Sequence, residues 1–173
     1  MAKLEQGMLY NYTGNGKGKT TGALGTVLRA LGYHWKVAIL QFLKDDRVTG
    51  EKLFFREYFP EILFEDLGLG FTIKPGDHKG FALAGWKKAA EMLNSFDGDL
   101  LVLDEINVAL SLNFLAVNEV CKALLNRRKT LNVIVTGRDS PAELLEISDL
   151  VSDIQEVKHP YQKGILARKG MEY

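Results

Sequence analysis

The stretch Thr13-Gly14-Asn15-Gly16-Lys17-Gly18-Lys19-Thr20-Thr21 constrains this chain more than any other, because of what flanks it. Before it, Met8 to Tyr12 is a short apolar and aromatic run that reads as a buried strand. After it, Ala23, Leu24, Val27, Leu28 and Leu31 recur at helical spacing, and Gly32 stands where a helix would end. Glycines between a strand and a helix let the backbone curl so that successive N–H groups point inward at phosphate oxygens, and the helix N-terminus adds partial positive charge. Lys19 supplies a full charge and is expected to face solvent and pack against nothing. The Thr20 hydroxyl is placed to ligate a Mg²⁺ that bridges phosphates. Counting back from Gly18-Lys19-Thr20, Thr13 occupies the place of the usual first glycine; starting from Gly14, the loop is one residue shorter than the standard pattern.

The rest of the chain repeats strand and helix in alternation. Val37 to Phe42 is a strand candidate apolar on both faces, as central parallel strands are. Glu51 to Tyr58 reads as a helix stopped by Pro60, and Ile62-Leu63-Phe64 as a short strand. Leu67 to Asp77 is too rich in Gly and Pro for a regular element and reads as a shaped loop. A helix over Lys79 to Phe96, a strand over Leu100 to Leu103, a helix from about Ala116 to Arg127, a strand over Asn132 to Thr136, a helix entered at Ser140-Pro141 and a strand near Leu150 to Val157 complete the pattern. Alternating units of this kind predict an α/β fold: a doubly wound, mostly parallel sheet with helices on both faces, formed by residues 1–173 as one P-loop domain.

Composition narrows the function classes. Equal numbers of Lys+Arg and Asp+Glu, 22 each, leave no bulk charge to favour nucleic acid or an anionic membrane, so any anion must be bound locally. The single cysteine, Cys121, excludes an intrachain disulfide and a multi-cysteine metal cluster. No apolar run approaches the roughly 18 residues of a membrane span, and the start of the chain has no apolar targeting core. A cytoplasmic protein is expected.

Asp104-Glu105, at the end of the apolar run Leu100 to Leu103, supplies the second half of a nucleotide site. Acids at the carboxyl end of a central strand lie beside the phosphate loop in a doubly wound sheet, where they can hold a metal or its water shell. Spacing does not decide between the two. Cys121 falls with Val117, Val120 and Leu124 on one helical face and reads as inert core. His34 and His78 are expected at the surface, and Arg127-Arg128-Lys129 as a solvated helix end. Arg138, just past a central strand, stands at the edge of the sheet from which a ligand can be reached.

The stretch Thr13-Gly14-Asn15-Gly16-Lys17-Gly18-Lys19-Thr20-Thr21, together with Gln41-Phe42-Leu43-Lys44, Gly70-Phe71-Thr72, Val102-Leu103-Asp104-Glu105, Val135-Thr136-Gly137-Arg138, Lys158-His159-Pro160-Tyr161 through Gly164, and Lys169 to Tyr173, resembles the ATP:corrinoid adenosyltransferases of the cob(I)alamin type. The match runs in order over nearly the whole chain, and the shortened phosphate loop is part of it. The resemblance implies a RecA-like fold that binds ATP with its triphosphate reversed in the loop. It also implies attack of Co(I) on C5′ of ATP with release of triphosphate. Gly14, Asn15, Gly16, Lys17, Gly18, Lys19, Thr20 and Thr21 would hold the triphosphate, with Arg138 beside them. Lys19, Thr20 and Glu105 would carry the catalytic burden, and Thr20 and Glu105 would be the Mg²⁺ residues, with Asp104 next to them. Phe71 would pack on the lower face of the corrin, where Ile73 replaces the family's second aromatic. The resemblance further implies an electron donor for Co(II), of flavoprotein type, and a homodimer.

Two other classes fit a phosphate loop: an ATPase acting as a switch or adaptor, and a small-molecule kinase. The first needs a residue that positions water, the second an acid that activates an acceptor hydroxyl.

Overall fold

The computed structural model describes residues 6–43, 49–68 and 76–171. The elements run β1 (Leu9–Thr13), α1 (Lys19–Gly32), β2 (Val37–Gln41), α2 (Gly50–Tyr58), β3 (Leu63–Asp66), α3 (His78–Ser95), β4 (Leu100–Asp104), α4 (Ile106–Ser111), α5 (Val117–Leu125), β5 (Asn132–Thr136), α6 (Ala142–Ile147) and β6 (Leu150–Asp153). All six strands lie in one sheet of order β3-β2-β4-β5-β1-β6, every neighbouring pair parallel. The predicted doubly wound architecture is therefore present, with no antiparallel strand among the described residues.

Every residue of β2 and β4 is buried, which is why their sequences are apolar on both faces. One face packs Ile39, Val102 and Ile134 under Ala23, Leu24 and Val27 of α1 and Phe55 of α2. The other packs Leu40, Leu101, Leu103 and Val133 under α3, α4, α5 and α6, through Ala89, Leu93, Ile106, Leu110, Val120 and Leu124. Cys121 belongs to this second layer, and burial pushes its thiol up from the ordinary range, as expected of an inert core residue.

Several expectations are corrected. Helix α4 was not anticipated, because Ile106–Ser111 is too short to display a periodicity. Strand β6 ends at Asp153, short of Val157, because the chain then leaves β1 and turns over the phosphate loop. His78 is buried at the start of α3, whereas His34 is exposed with φ of 59°. Arg127 is not a solvated helix end. Its side chain is 10% exposed and donates to the carbonyls of Leu124 (2.8 Å), Leu131 (3.1 Å) and Gly7 (2.8 Å), tying the end of α5 to the approach to β1. No helix among the described residues is long and apolar enough to cross a membrane.

Candidate active site

The loop between β1 and α1 opens at the carboxyl edge of the sheet. Gly14 has φ of +94°, and a Cβ there would come within 2.3 Å of Asp153 Oδ1 and 2.4 Å of the Ile154 carbonyl oxygen. Only glycine lets the loop pass this close to the chain leaving β6. Gly16 donates its N–H to the Ile154 carbonyl at 2.7 Å, so this amide does not point at a ligand; the expectation that successive loop amides all face inward is corrected at this position. Gly18, with φ of +113°, enters α1 from the left-handed region and has open space around it.

Lys19 is also corrected. Rather than facing solvent, it is 7% exposed and its Nζ donates to the carbonyls of Gly14 and Gly16, at 2.7 Å each. Burial lowers its pKa from the usual lysine value, and Arg138 adds to the lowering; Glu105, Asp104 and Asp139 oppose it. Lys19 thus feels the charges of Glu105, Arg138, Asp104 and Asp139 at this edge of the sheet. Asn15, Lys17, Thr21 and Arg138 are exposed beside the loop.

Asp104 is buried and, among the described residues, accepts from Thr20 Oγ1 (2.9 Å) and Thr136 Oγ1 (2.6 Å) at Oδ1 and from Gln41 Nε2 (2.7 Å) at Oδ2. Glu105 follows in the left-handed region, φ 63°, and its N–H donates to Thr136 Oγ1 at 2.9 Å. Glu105 leaves the strand as the left-handed residue before α4, while Asp104 stays in line with Val102 and Leu100. Of the two acids, Asp104 is engaged with Thr20, and Glu105 exerts the largest charge effect on Lys19.

A second polar group lies on the opposite face. Asn107 Nδ2 donates to Asn11 Oδ1 (2.9 Å) and to the Gly137 carbonyl (3.2 Å), and Asn11 Nδ2 donates to Ser140 Oγ (2.9 Å). Ser140 N–H reaches Thr13 Oγ1 at 3.3 Å. The threonine that replaces the usual first glycine thus ties the end of β1 to the segment carrying Arg138. His159 is a local cap: its Nδ1 accepts from Tyr161 N–H at 3.1 Å. Phe71 and Ile73 lie outside the described residues.

Sequence reasoning brought Lys19, Thr20, Asp104 and Glu105 to one place but gave no role to Gln41, Thr136, Asn11 or Asn107. A signal existed for the first two. Gln41, Asp104 and Thr136 each end an otherwise apolar strand run with a polar side chain.

Comparison with known proteins agrees with this geometry. The chain is 40% identical to the corrinoid adenosyltransferase of Pseudomonas aeruginosa, over 99% of this chain and 86% of that one. It is 35% identical to that of Escherichia coli K12, over 99% of this chain and 88% of that one. In fold it is similar to the flagellar accessory protein FlaH of Methanocaldococcus jannaschii, with a TM-score of 0.53 and 16% identity over 83% of this chain and 67% of that one. The family model for the ATP:corrinoid adenosyltransferases BtuR/CobO/CobP matches residues 5–173, a span that includes the phosphate loop, both acids and the carboxyl-terminal segment, and the chain belongs to that family.

Proposed function

We propose that this chain transfers the 5′-deoxyadenosyl group of ATP to the Co(I) of a corrinoid in the cytoplasm, releasing triphosphate. The observation that carries the reading is the convergence of Lys19, Thr20, Asp104 and Glu105 beside a shortened phosphate loop, in a member of this family. Co(I), part of the substrate, attacks C5′; the cobalt–carbon bond forms as the bond from C5′ to the triphosphate oxygen breaks, and that electron pair leaves with triphosphate. A nucleophile this strong needs no side-chain base. What remains for the protein is alignment and stabilisation of the departing charge.

Lys19 and the N-terminus of α1 supply positive charge to the triphosphate. On binding, Nζ exchanges the Gly14 and Gly16 carbonyls for phosphate oxygens, and the desolvation that depresses its pKa is offset by the new anion. Arg138, exposed across the loop, adds a second cation. The oxygen-only donor set of Thr20, Asp104 and Glu105 suits a hard divalent cation such as Mg²⁺. Thr20 and Glu105 would hold it, while Asp104, already accepting three hydrogen bonds, fixes the Thr20 hydroxyl. Bound there, Mg²⁺ would neutralise charge on the triphosphate.

On the resemblance, Phe71 shields the lower face of the corrin, with Ile73 in the place of a second ring; Phe71→Ala would then impair reaction from Co(II) with a mild reductant more than from preformed Co(I). A flavoprotein reductant and a homodimer are proposed on the same ground. The deciding experiment incubates ATP and Mg²⁺ with and without reduced corrinoid under anoxia and identifies the phosphate product. Triphosphate that appears only with reduced corrinoid supports the transfer. ADP with phosphate, or a phosphorylated acceptor, would instead support a switch ATPase or a kinase.

A further inference from the structure

Thr136 is fully buried at the end of β5, the strand that separates β4, with its acids, from β1, with the phosphate loop. Its backbone is the register partner of Tyr12 on one side, and on the other it follows the pairing of Leu103 with Val135, which brings it level with Asp104. One hydroxyl contacts both acids: Oγ1 donates to Asp104 Oδ1 at 2.6 Å and accepts the Glu105 N–H at 2.9 Å. The second contact falls at the only left-handed residue of the acid pair, φ 63°, where a non-glycine backbone needs support from its surroundings. Gln41 grips the opposite oxygen of Asp104 from β2 at 2.7 Å, leaving its own Oε1 buried without a hydrogen-bond partner. A buried acceptor left unpaired is a cost to folding that packing alone does not explain.

We infer that Thr136 is a positioning residue for adenosyl transfer, fixing Asp104 and Glu105 against each other so that Thr20 and Glu105 present their oxygens to one point. The inference rests on the reading that these two residues hold a divalent cation. A hydroxyl is required because the position must donate to a carboxylate and accept from an amide at once. Valine, of nearly the same shape, does neither; serine does both.

The test compares the full-length wild type with Thr136→Val, Thr136→Ala and Thr136→Ser. Mn²⁺ titration of each protein in the presence of ATP and without corrinoid, followed by electron paramagnetic resonance, reads cation affinity apart from turnover. ATP affinity without metal and the melting temperature are measured alongside. Thr136→Val is expected to weaken Mn²⁺ binding about tenfold, with metal-free ATP affinity within about twofold of wild type. Thr136→Ser should stay within about threefold of wild type for Mn²⁺, because it keeps both hydrogen bonds. A folded Thr136→Val protein with wild-type Mn²⁺ affinity overturns the inference. So does a Thr136→Ser protein as impaired as the valine variant, since the methyl rather than the hydroxyl would then matter. Should Thr136→Val fail to fold, Thr136→Ala carries the test: it removes the same hydroxyl with less bulk and should weaken Mn²⁺ about tenfold, whereas unchanged affinity overturns the inference. Failure of the cation reading itself looks different, as the wild-type protein–ATP complex would then hold Mn²⁺ no more tightly than free ATP does.

Discussion

The Nζ of Lys19 lies 2.7 Å from the carbonyl oxygen of Gly14, so the cation proposed for the triphosphate closes its own loop in the free chain. Lys19→Ala therefore removes two things at once. Triphosphate formation should fall at least about a hundredfold through the lost charge, and the loop should lose two charged hydrogen bonds, for a net cost of roughly 1–3 kcal/mol. Product analysis reads the first, and a melting temperature lowered by several degrees reads the second. Turnover retained in this variant would remove Lys19 from the reaction.

The depressed pKa of Lys19 has a sign that can be checked. The folded chain gives up this proton below the ordinary lysine value of 10.5, while the unfolded chain still holds it. In that window the unfolded state binds more protons, so the contribution of Lys19 to stability rises with pH. Affinity for ATP should move the opposite way, falling on the alkaline side with a midpoint below 10.5 as the charge is lost. Calorimetric ATP titrations across this range check it; a midpoint at or above the ordinary value would mean that the burial of Nζ has no effect on its charge.

Asp104 and Glu105 should separate by phenotype. Asp104→Asn turns one acceptor into a donor where three donors converge, and should cost about 1–3 kcal/mol of stability, seen by denaturant titration. Glu105→Gln should leave the fold nearly unchanged and raise the Mg²⁺ concentration needed for half-maximal turnover more sharply than Asp104→Asn does. The reverse order would move the cation contact to Asp104.

How much of this was legible in the sequence depends on the scale of the signal. The apolar runs that became β1, β2, β4 and β5 are long enough to be read, and so is the loop that follows β1. Helix α4 has six residues and no second turn by which to show a period. That Thr136 meets Asp104 follows from β5 lying between β4 and β1, and strand order is set by packing across the whole sheet rather than by any local pattern. Lys19 departs from its expected exposure for a related reason: a lysine in a glycine-rich loop reads as exposed until the carbonyls that receive it are in place.

Arg127→Met should test the buried guanidinium. Its three carbonyl partners lie on the end of α5, on Leu131 and on Gly7, with Asp149 4.0 Å away, and methionine keeps the packing while removing every donor. A loss of about 3 kcal/mol is expected, lowering the melting temperature by roughly 6–12 °C. A change under a degree would mean that these carbonyls find water as readily as they find Arg127.

The hydrogen bond from Gly16 to Ile154 joins the phosphate loop to the residue that follows β6, the strand at the rim of the sheet, far away in the chain. On the proposed function, nucleotide affinity becomes a gauge of how firmly the carboxyl-terminal segment is seated. A truncation before Ile154, or a fusion that pulls on that segment, removes or strains this bond and lets the loop explore more conformations, against which ATP must then select.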